Sequence, residues 1–342
     1  MGASALALGC GAAPSLPRGY ELALRRAEGL ERDGRHSAAA DAYAQSRLRC
    51  GGRADLCARA AVREAAERER AGEPDRARRS YLEAARRWPH DREAPRALRR
   101  AARIDLVQGR ADDGRSLLRA AISRYPDHGD AAAALRDLLQ SVEDREGEAA
   151  ALAEATSLDR VARVRSSALG DNVLYAIAAL RIRLADPAAA ERALVDLVDR
   201  YPYPRGGLWD EALWLLADLA EVRRDFRAVV RWLERMVAVQ ESSSIVGSYN
   251  LPRFDDAELR IARTWLGPLG DARRAVRAAE RLRDRYPDSV LRDDAIVLQA
   301  RAEEALGHHE RACALRSVLA REDPHSRYLR PGRWPVRCGP RQ

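Results

Sequence analysis

Residues 65–89, AAERERAGEPDRARRSYLEAARRWP, decide the fold. Two segments rich in Ala, Arg and Leu, all strong helix formers, are separated at Gly72 and stopped at Trp88-Pro89. Proline cannot continue a helical backbone ladder, so Pro89 closes the second segment. Small residues stand seven positions before the turn, at Ala65, and five after it, at Ala77, where two paired helices must cross closely. The stretch predicts a helix–turn–helix unit.

The same punctuation runs along the chain. Trp88-Pro89, Tyr125-Pro126, Tyr201-Pro202, Tyr286-Pro287 and Asp323-Pro324 each place Pro 17 residues after a turn position, namely Gly72, Gly109, Ala185, Gly270 and Gly307. The turn recurs without its Pro at Gly34, Gly147 and Arg224, and successive turns lie 38, 37, 38, 38, 39, 46 and 37 residues apart. Eight units emerge. Ala27, Ala65, Ala102, Ala178, Ala217 and Ala300 hold the position seven before the turn; Ala39, Ala77, Gly114, Ala190, Ala275 and Ala312 hold the position five after it. In the seventh unit Ala262 sits one residue further out, beside the extra Gly267-Pro268. An Asp or Ser follows several of the prolines (Pro89-His90-Asp91, Pro126-Asp127, Pro287-Asp288-Ser289) and is placed to cap the next helix.

On these residues the chain resembles the tetratricopeptide repeat (TPR) family. The second unit carries Ala65, Gly72, Ala77, Tyr81, Ala84 and Pro89 in the family's order, and the resemblance spans about residues 19 to 325. It departs from the family in a repeat near 38 residues rather than 34, and in the fourth and sixth units, which lack the full Gly and Pro pattern. The resemblance implies an all-α fold, a right-handed superhelical solenoid of about eight TPR-like helix pairs. Each amphipathic pair buries its apolar face only against its neighbours.

Composition agrees and excludes other classes. Of the 342 residues 46% are apolar and 33% charged, as in a folded domain, and aromatics at 5% with abundant Ala argue against an all-β fold. No stretch reaches the ~18–20 apolar residues of a membrane-spanning helix. The formal charge is +8, yet all 60 basic residues are Arg and they interleave with 52 acids. That exclusive use of Arg beside very high Ala is the mark of a GC-rich coding bias, and the interleaving predicts solvated helix faces with i,i+4 pairs. Nucleic-acid binding is accordingly a minor reading.

The chain starts with a short run of small and apolar residues ending in Leu8-Gly9-Cys10-Gly11, followed by a Pro/Ser linker. This resembles the lipobox of a bacterial lipoprotein, with Cys10 as the lipidated residue, although Ala7 stands where Leu is usual and no basic segment precedes it. Four further cysteines lie as one pair near each end of the array: Cys50 and Cys57 across Gly51-Gly52, Cys313 and Cys338 on the last helix and in the tail. They form two staples in an oxidising compartment or remain buried small hydrophobes and thiols; both readings stand at this point.

Catalytic chemistry is not written in the motifs. There is no Gly-rich phosphate loop, no His-Glu-x-x-His and no Gly-x-Ser-x-Gly, the six histidines fall in turns, and eight repeats leave too few residues for a catalytic module. No enzyme activity, cofactor or metal is expected. Binding is the expected role, on the inner face built from the first helices of successive units. Placing the pre-turn Ala at the family's eighth position puts Arg99, Arg103, Tyr175, Trp214 and Asp218 on that face, with Tyr175 and Trp214 in the core if the register slips by one.

The sequence thus divides into a lipoprotein-like segment and linker (1–18), an α-solenoid (19–325) with a loop insert near 240–255, and a Pro/Arg-rich tail (326–342). The insert is either part of the binding face or a connector. The function expected is a non-enzymatic scaffold of the bacterial cell envelope that binds a protein or peptide partner in the concave groove, resembling outer-membrane assembly lipoproteins and the periplasmic cell-division coordinators. The alternatives are a cytoplasmic adaptor with reduced cysteines and an RNA-binding helical-repeat protein.

Overall fold

The structure is a computed structural model and describes residues 16–239 and 253–338. Cys10 and most of the insert at 240–255 lie outside the described residues. By its internal contacts the chain divides into two compact units, Met1–Leu169 and Gly170–Gln342.

Among the described residues all regular structure is helical. The first unit holds α1 (Arg18–Arg32), α2 (His36–Leu48), α3 (Ala54–Arg70), α4 (Pro74–Arg87), α5 (Glu93–Val107), α6 (Ala111–Arg124), α7 (Gly129–Glu146), α8 (Glu148–Asp159) and the single turn α9 (Ala162–Arg165). The second holds α10 (Leu169–Arg183), α11 (Pro187–Arg200), α12 (Trp209–Val222), α13 (Phe226–Val237), α14 (Phe254–Leu266), α15 (Ala272–Arg285), α16 (Arg292–Ala305) and α17 (His309–Glu322), then a 3-10 turn at Arg327–Leu329. Most consecutive helices pack on one another, as α1 on α2, α2 on α3 and α14 on α15, and first helices of successive pairs also touch, α3 with α5, α5 with α7 and α14 with α16.

The eight turn positions read from the sequence all have positive φ, from +57° at Ala185 and +59° at Arg224 to +86° at Gly147. In six of them the residue at the turn donates to the carbonyl three back and its successor to the carbonyl five back, as Gly72 to Glu69 and Glu73 to Arg68 do. This closes the orphan carbonyls of the first helix and reverses the chain in three residues. Glycine reaches this conformation without steric cost; Ala185 and Arg224 adopt it with a Cβ.

The small-residue code is the crossing of each pair. Ala27, Ala39, Ala65, Ala77, Ala102, Ala178, Ala190, Ala217, Ala262, Ala275, Ala300 and Ala312 are all fully buried, at 0% exposure. In the third pair the crossing leaves no room for a side chain, since a Cβ on Gly114 would come within 2.9 Å of the Ala102 carbonyl and the Leu106 side chain. The residues before the prolines, Trp88, Tyr125, Tyr201, Tyr286 and Asp323, are the C-caps of α4, α6, α11, α15 and α17. At the start of α7 the cap differs from expectation. His128 accepts from the Asp130 amide, while Asp127 accepts from Ala168, 41 residues on.

The charges also pair differently from the i,i+4 expectation. Arg63–Glu28 (3.0 Å), Arg70–Glu31 (2.9 Å), Arg99–Asp137 (2.7 Å), Arg119–Glu154 (2.7 Å), Arg223–Glu191 (2.6 Å), Arg235–Asp199 (2.8 Å) and Arg283–Glu322 (3.1 Å) each span about one repeat in sequence. The long Arg side chain reaches the equivalent helix of the neighbouring pair more readily than a carboxylate on its own. Some i,i+4 pairs do form, such as Arg68–Glu64.

Both pairs of cysteines are bonded, Cys50 to Cys57 and Cys313 to Cys338, with Cα–Cα distances of 5.3 and 5.6 Å. The first joins α3 to the loop before it, beside buried Tyr20 and Leu56. The second holds the tail back on the last pair, where Val336 is buried with Ile296, Ala300, Leu315 and Leu319, and Tyr328 and Trp334 pack alongside.

Candidate functional site

In the second unit, three of the expected binding residues come together on first helices. Trp214, on α12, is half-buried against the unit's core, and two guanidiniums lie over its ring, Arg253 at 5.4 Å and Arg260 at 4.8 Å from the centroid. Arg260, on α14, also pairs with Asp218 of α12 at 2.6 Å. Tyr175, on α10, is half-buried against the same core, and burial reinforced by nearby Glu211 and Asp218 pushes its hydroxyl's pKa up. Glu211, one turn before Trp214, is pushed up to about 7 by burial and by its hydrogen bond with Asp210.

In the first unit, Arg99 and Arg103 lie on α5. Arg99 pairs with Asp137 at 2.7 Å and Asp130 at 3.6 Å on α7. It also lines a hollow of about 620 Å³ together with Arg59, Arg63, Arg96, Arg100 and Tyr81. Most of these arginines are neutralised: Arg63 by Glu28, Arg96 by Glu93, Arg100 by Glu69 at 3.7 Å. Arg59 has no ion-pair partner among the described residues. Arg103 is exposed, on the rim of a shallower hollow with Asp137, Gln140 and Asp144. Arg99 and Arg103 are thus in one unit, and Tyr175, Trp214 and Asp218 in the other.

The sequence reading missed Arg59, Arg63, Arg96, Arg100, Glu211 and Arg260. The signal for them was present. The residues used for the expectation lie ten and six positions before the turn, whereas an exposed helical stripe runs i, i+3, i+4, i+7. Arg59, Arg96 and Glu211 stand thirteen before their turns and Arg63 and Arg100 nine before, on the same stripe; Arg260 stands ten before Gly270. The surface offers rigid aromatic area flanked by cations and carboxylates, the chemistry of polar-rimmed protein contacts.

The model of the tetratricopeptide repeat family matches residues 256–289, which run from the first turn of α14 through α15 to Ser289. The match falls on the seventh helix pair, not on the second, whose residues follow the family's order most fully. No curated protein matches the chain in sequence. Among solved structures, the C-terminal part of a TPR repeat-containing protein from Cytophaga hutchinsonii is 11% identical, with 80% of this chain and 98% of that one covered at a TM-score of 0.43. PilW, described as a widely conserved type IV pilus biogenesis factor, is 18% identical over 80% of this chain and 96% of that one at 0.32. Pseudomonas aeruginosa PilF is 13% identical over 70% and 97% at 0.38. With the helix pairs, their turns and their buried alanines, the match at 256–289 makes this a chain that carries a tetratricopeptide repeat and resembles that family along its other pairs.

Proposed function

We propose that the chain is a non-enzymatic scaffold that binds a protein partner on the first-helix faces of its pairs, and that it works in the bacterial cell envelope, anchored through Cys10. The observation that carries the binding reading is Trp214, a half-exposed indole with the guanidiniums of Arg253 and Arg260 over its ring and Tyr175 and Asp218 nearby. A large rigid side chain fixed in orientation loses little entropy when a partner covers it. The two disulfides support the envelope reading, since such bonds persist in oxidising compartments, and they count against a cytoplasmic adaptor. No helix among the described residues is long and apolar enough to cross a membrane, so Cys10 is the attachment this reading uses.

The test is site-specific photo-crosslinking in envelope-exporting bacterial cells. A photoreactive residue at Tyr175 or Arg103, on first helices, is expected to trap a discrete protein adduct, and one at exposed Arg231 on α13 is not. Adducts from Arg231 alone, or from none of the three, overturn the reading. Cys10→Ser is expected to move the protein from the membrane to the soluble fraction; unchanged fractionation overturns the anchor.

A further inference from the structure

The C-terminal disulfide differs from the N-terminal one in its surroundings. Cys50 and Cys57 are buried, 6% and 5% exposed, among Tyr20, Leu56 and Ala60. Cys338 is exposed and Cys313 is half-buried on α17. His309, one turn before Cys313 on the same helix, puts its Nε2 3.7 Å from the Cys313 Sγ. Its other ring nitrogen, Nδ1, lies 2.9 Å from the Glu304 carboxylate at the end of α16. A carboxylate, an imidazole and a sulfur therefore follow one another, and Cys338, the residue at the other end of the bridge, is exposed, with its Sγ 3.7 Å from the Val336 carbonyl.

We infer that Cys313–Cys338 is a site of thiol–disulfide exchange, with Cys338 as the sulfur attacked, Cys313 as the leaving group, His309 as the proton donor to it and Glu304 as the residue that positions His309. A thiolate approaches Cys338, the accessible end. Its sulfur forms a new bond to the Cys338 Sγ as the Cys338–Cys313 bond breaks, and that electron pair goes to the Cys313 Sγ. The protonated His309 imidazole presents Nε2–H to the emerging thiolate and transfers the proton to it, while Glu304 accepts from Nδ1–H and balances the ring's charge. Exchange speeds up when the leaving thiolate is stabilised, and a neighbouring cation is the commonest way to do so. The product is a mixed disulfide on Cys338 and a free thiol at Cys313. With a dithiol reductant, its second thiolate then attacks the mixed disulfide, Cys338 leaves as a thiolate, and the reductant is oxidised to its own disulfide. The ligand class is a solvent-borne thiol, small or protein-bound.

The experiment treats the oxidised full-length chain with reduced glutathione at neutral pH, quenches with N-ethylmaleimide and maps adducts by mass spectrometry, with Cys50–Cys57 as the internal control. Glutathione is expected on Cys338 and maleimide on Cys313, at least ten-fold ahead of any adduct on Cys50 or Cys57. His309→Gln is expected to slow the first adduct about five-fold or more, leaving the circular dichroism spectrum and the Cys50–Cys57 rate unchanged. Glu304→Gln is expected to slow it by a smaller factor, and it reads the Glu304–His309 pair independently if His309→Gln does not fold. Glutathione on Cys313, equal rates at the two bridges, or wild-type rates in folded variants overturns the assignment. Exposure of Cys338 alone would make this bridge react faster, but it would leave the His309 and Glu304 variants at the wild-type rate.

Discussion

The Arg260 guanidinium lies 4.8 Å from the centroid of the Trp214 ring, and the two residues come from adjacent helix pairs. The contact meets the indole from the side of the following pair, so the orientation of the contact residue proposed for the second unit depends on its neighbour.

Removing that indole therefore probes binding. Trp214→Ala is expected to weaken a captured partner at least ten-fold, about 1.4 kcal/mol or more, within the usual range for a central aromatic contact. Arg260→Ala, which leaves the ring in place with Arg253 still over it and also removes the pairing with Asp218, is expected to cost less, since a partly exposed cation–π contact contributes about 0.5–1 kcal/mol. Calorimetric titration of the folded variants separates the two; equal losses would mean that Arg260 touches the partner itself.

Glu211 sets a pH dependence of stability. Its carboxyl titrates at about 7 in the folded chain against an ordinary 4.5, so the folded state binds the proton more tightly than the unfolded one. The stabilisation is complete below about 4.5 and is lost as pH rises through 7. Glu211→Gln is expected to raise the melting temperature at pH 8 and to leave it unchanged near pH 4. Melting curves from pH 4 to 8 check the sign, and a variant less stable at pH 8 would contradict it.

Ala185 and Arg224 hold the turn with a side chain where six other pairs use glycine. Ala185→Gly is expected to stabilise the chain by about 0.5–1 kcal/mol, the relief of a left-handed backbone partly offset by the greater freedom of glycine when unfolded. Gly72→Ala, with open space around its Cβ position and φ of +76°, is expected to destabilise by about 1 kcal/mol through the backbone alone. Urea melts of both variants measure this.

Gly114 tests the helix crossing instead. Gly114→Ala brings a methyl group against the Ala102 carbonyl and Leu106 at 2.9 Å, and the third pair must open to admit it. A loss of about 1–3 kcal/mol is expected from overpacking, against the gain that Ala normally brings to a helix interior. A more stable variant would show that α5 and α6 are free to separate.

What the sequence made legible is what depends on local backbone. Gly72, Ala65 and Pro89 describe one turn, one crossing and one helix end, and each is decided by residues within about seventeen positions. Even Ala185 and Arg224, which lack the expected residue type, were found by spacing. What stayed hidden depends on residues that meet only across pairs. Arg253 and Arg260 over Trp214, and Arg223 against Glu191, are brought together by stacking, and 60 identical cations give no clue to which carboxylate each will meet. His309 beside Cys313 is a local i,i+4 neighbour, yet its meaning depends on the tail folding back to deliver Cys338. Two offsets of the four-offset stripe, taken in the third, fifth and sixth pairs, give only part of the face, and Arg260 stands at one of those offsets in the seventh pair.

The arginine bridges between neighbouring pairs make the order of the modules part of the chemistry. Individually such partly exposed bridges stabilise by at most about 1 kcal/mol, so they add little to the strength of the stack. Their effect is on identity. Glu191 is matched by Arg223 in the next module, and Glu154 by Arg119 in the one before, whereas the Glu31–Tyr43 and Glu69–Tyr81 contacts repeat one arrangement, with Arg63 and Arg100 of the following modules beside them. Excising the module that carries Arg223, or the one that carries Arg119, would leave Glu191 or Glu154 to meet a different residue at the new seam. The buried alanines set how closely two helices approach, and the bridges bear on which pair stands next to which.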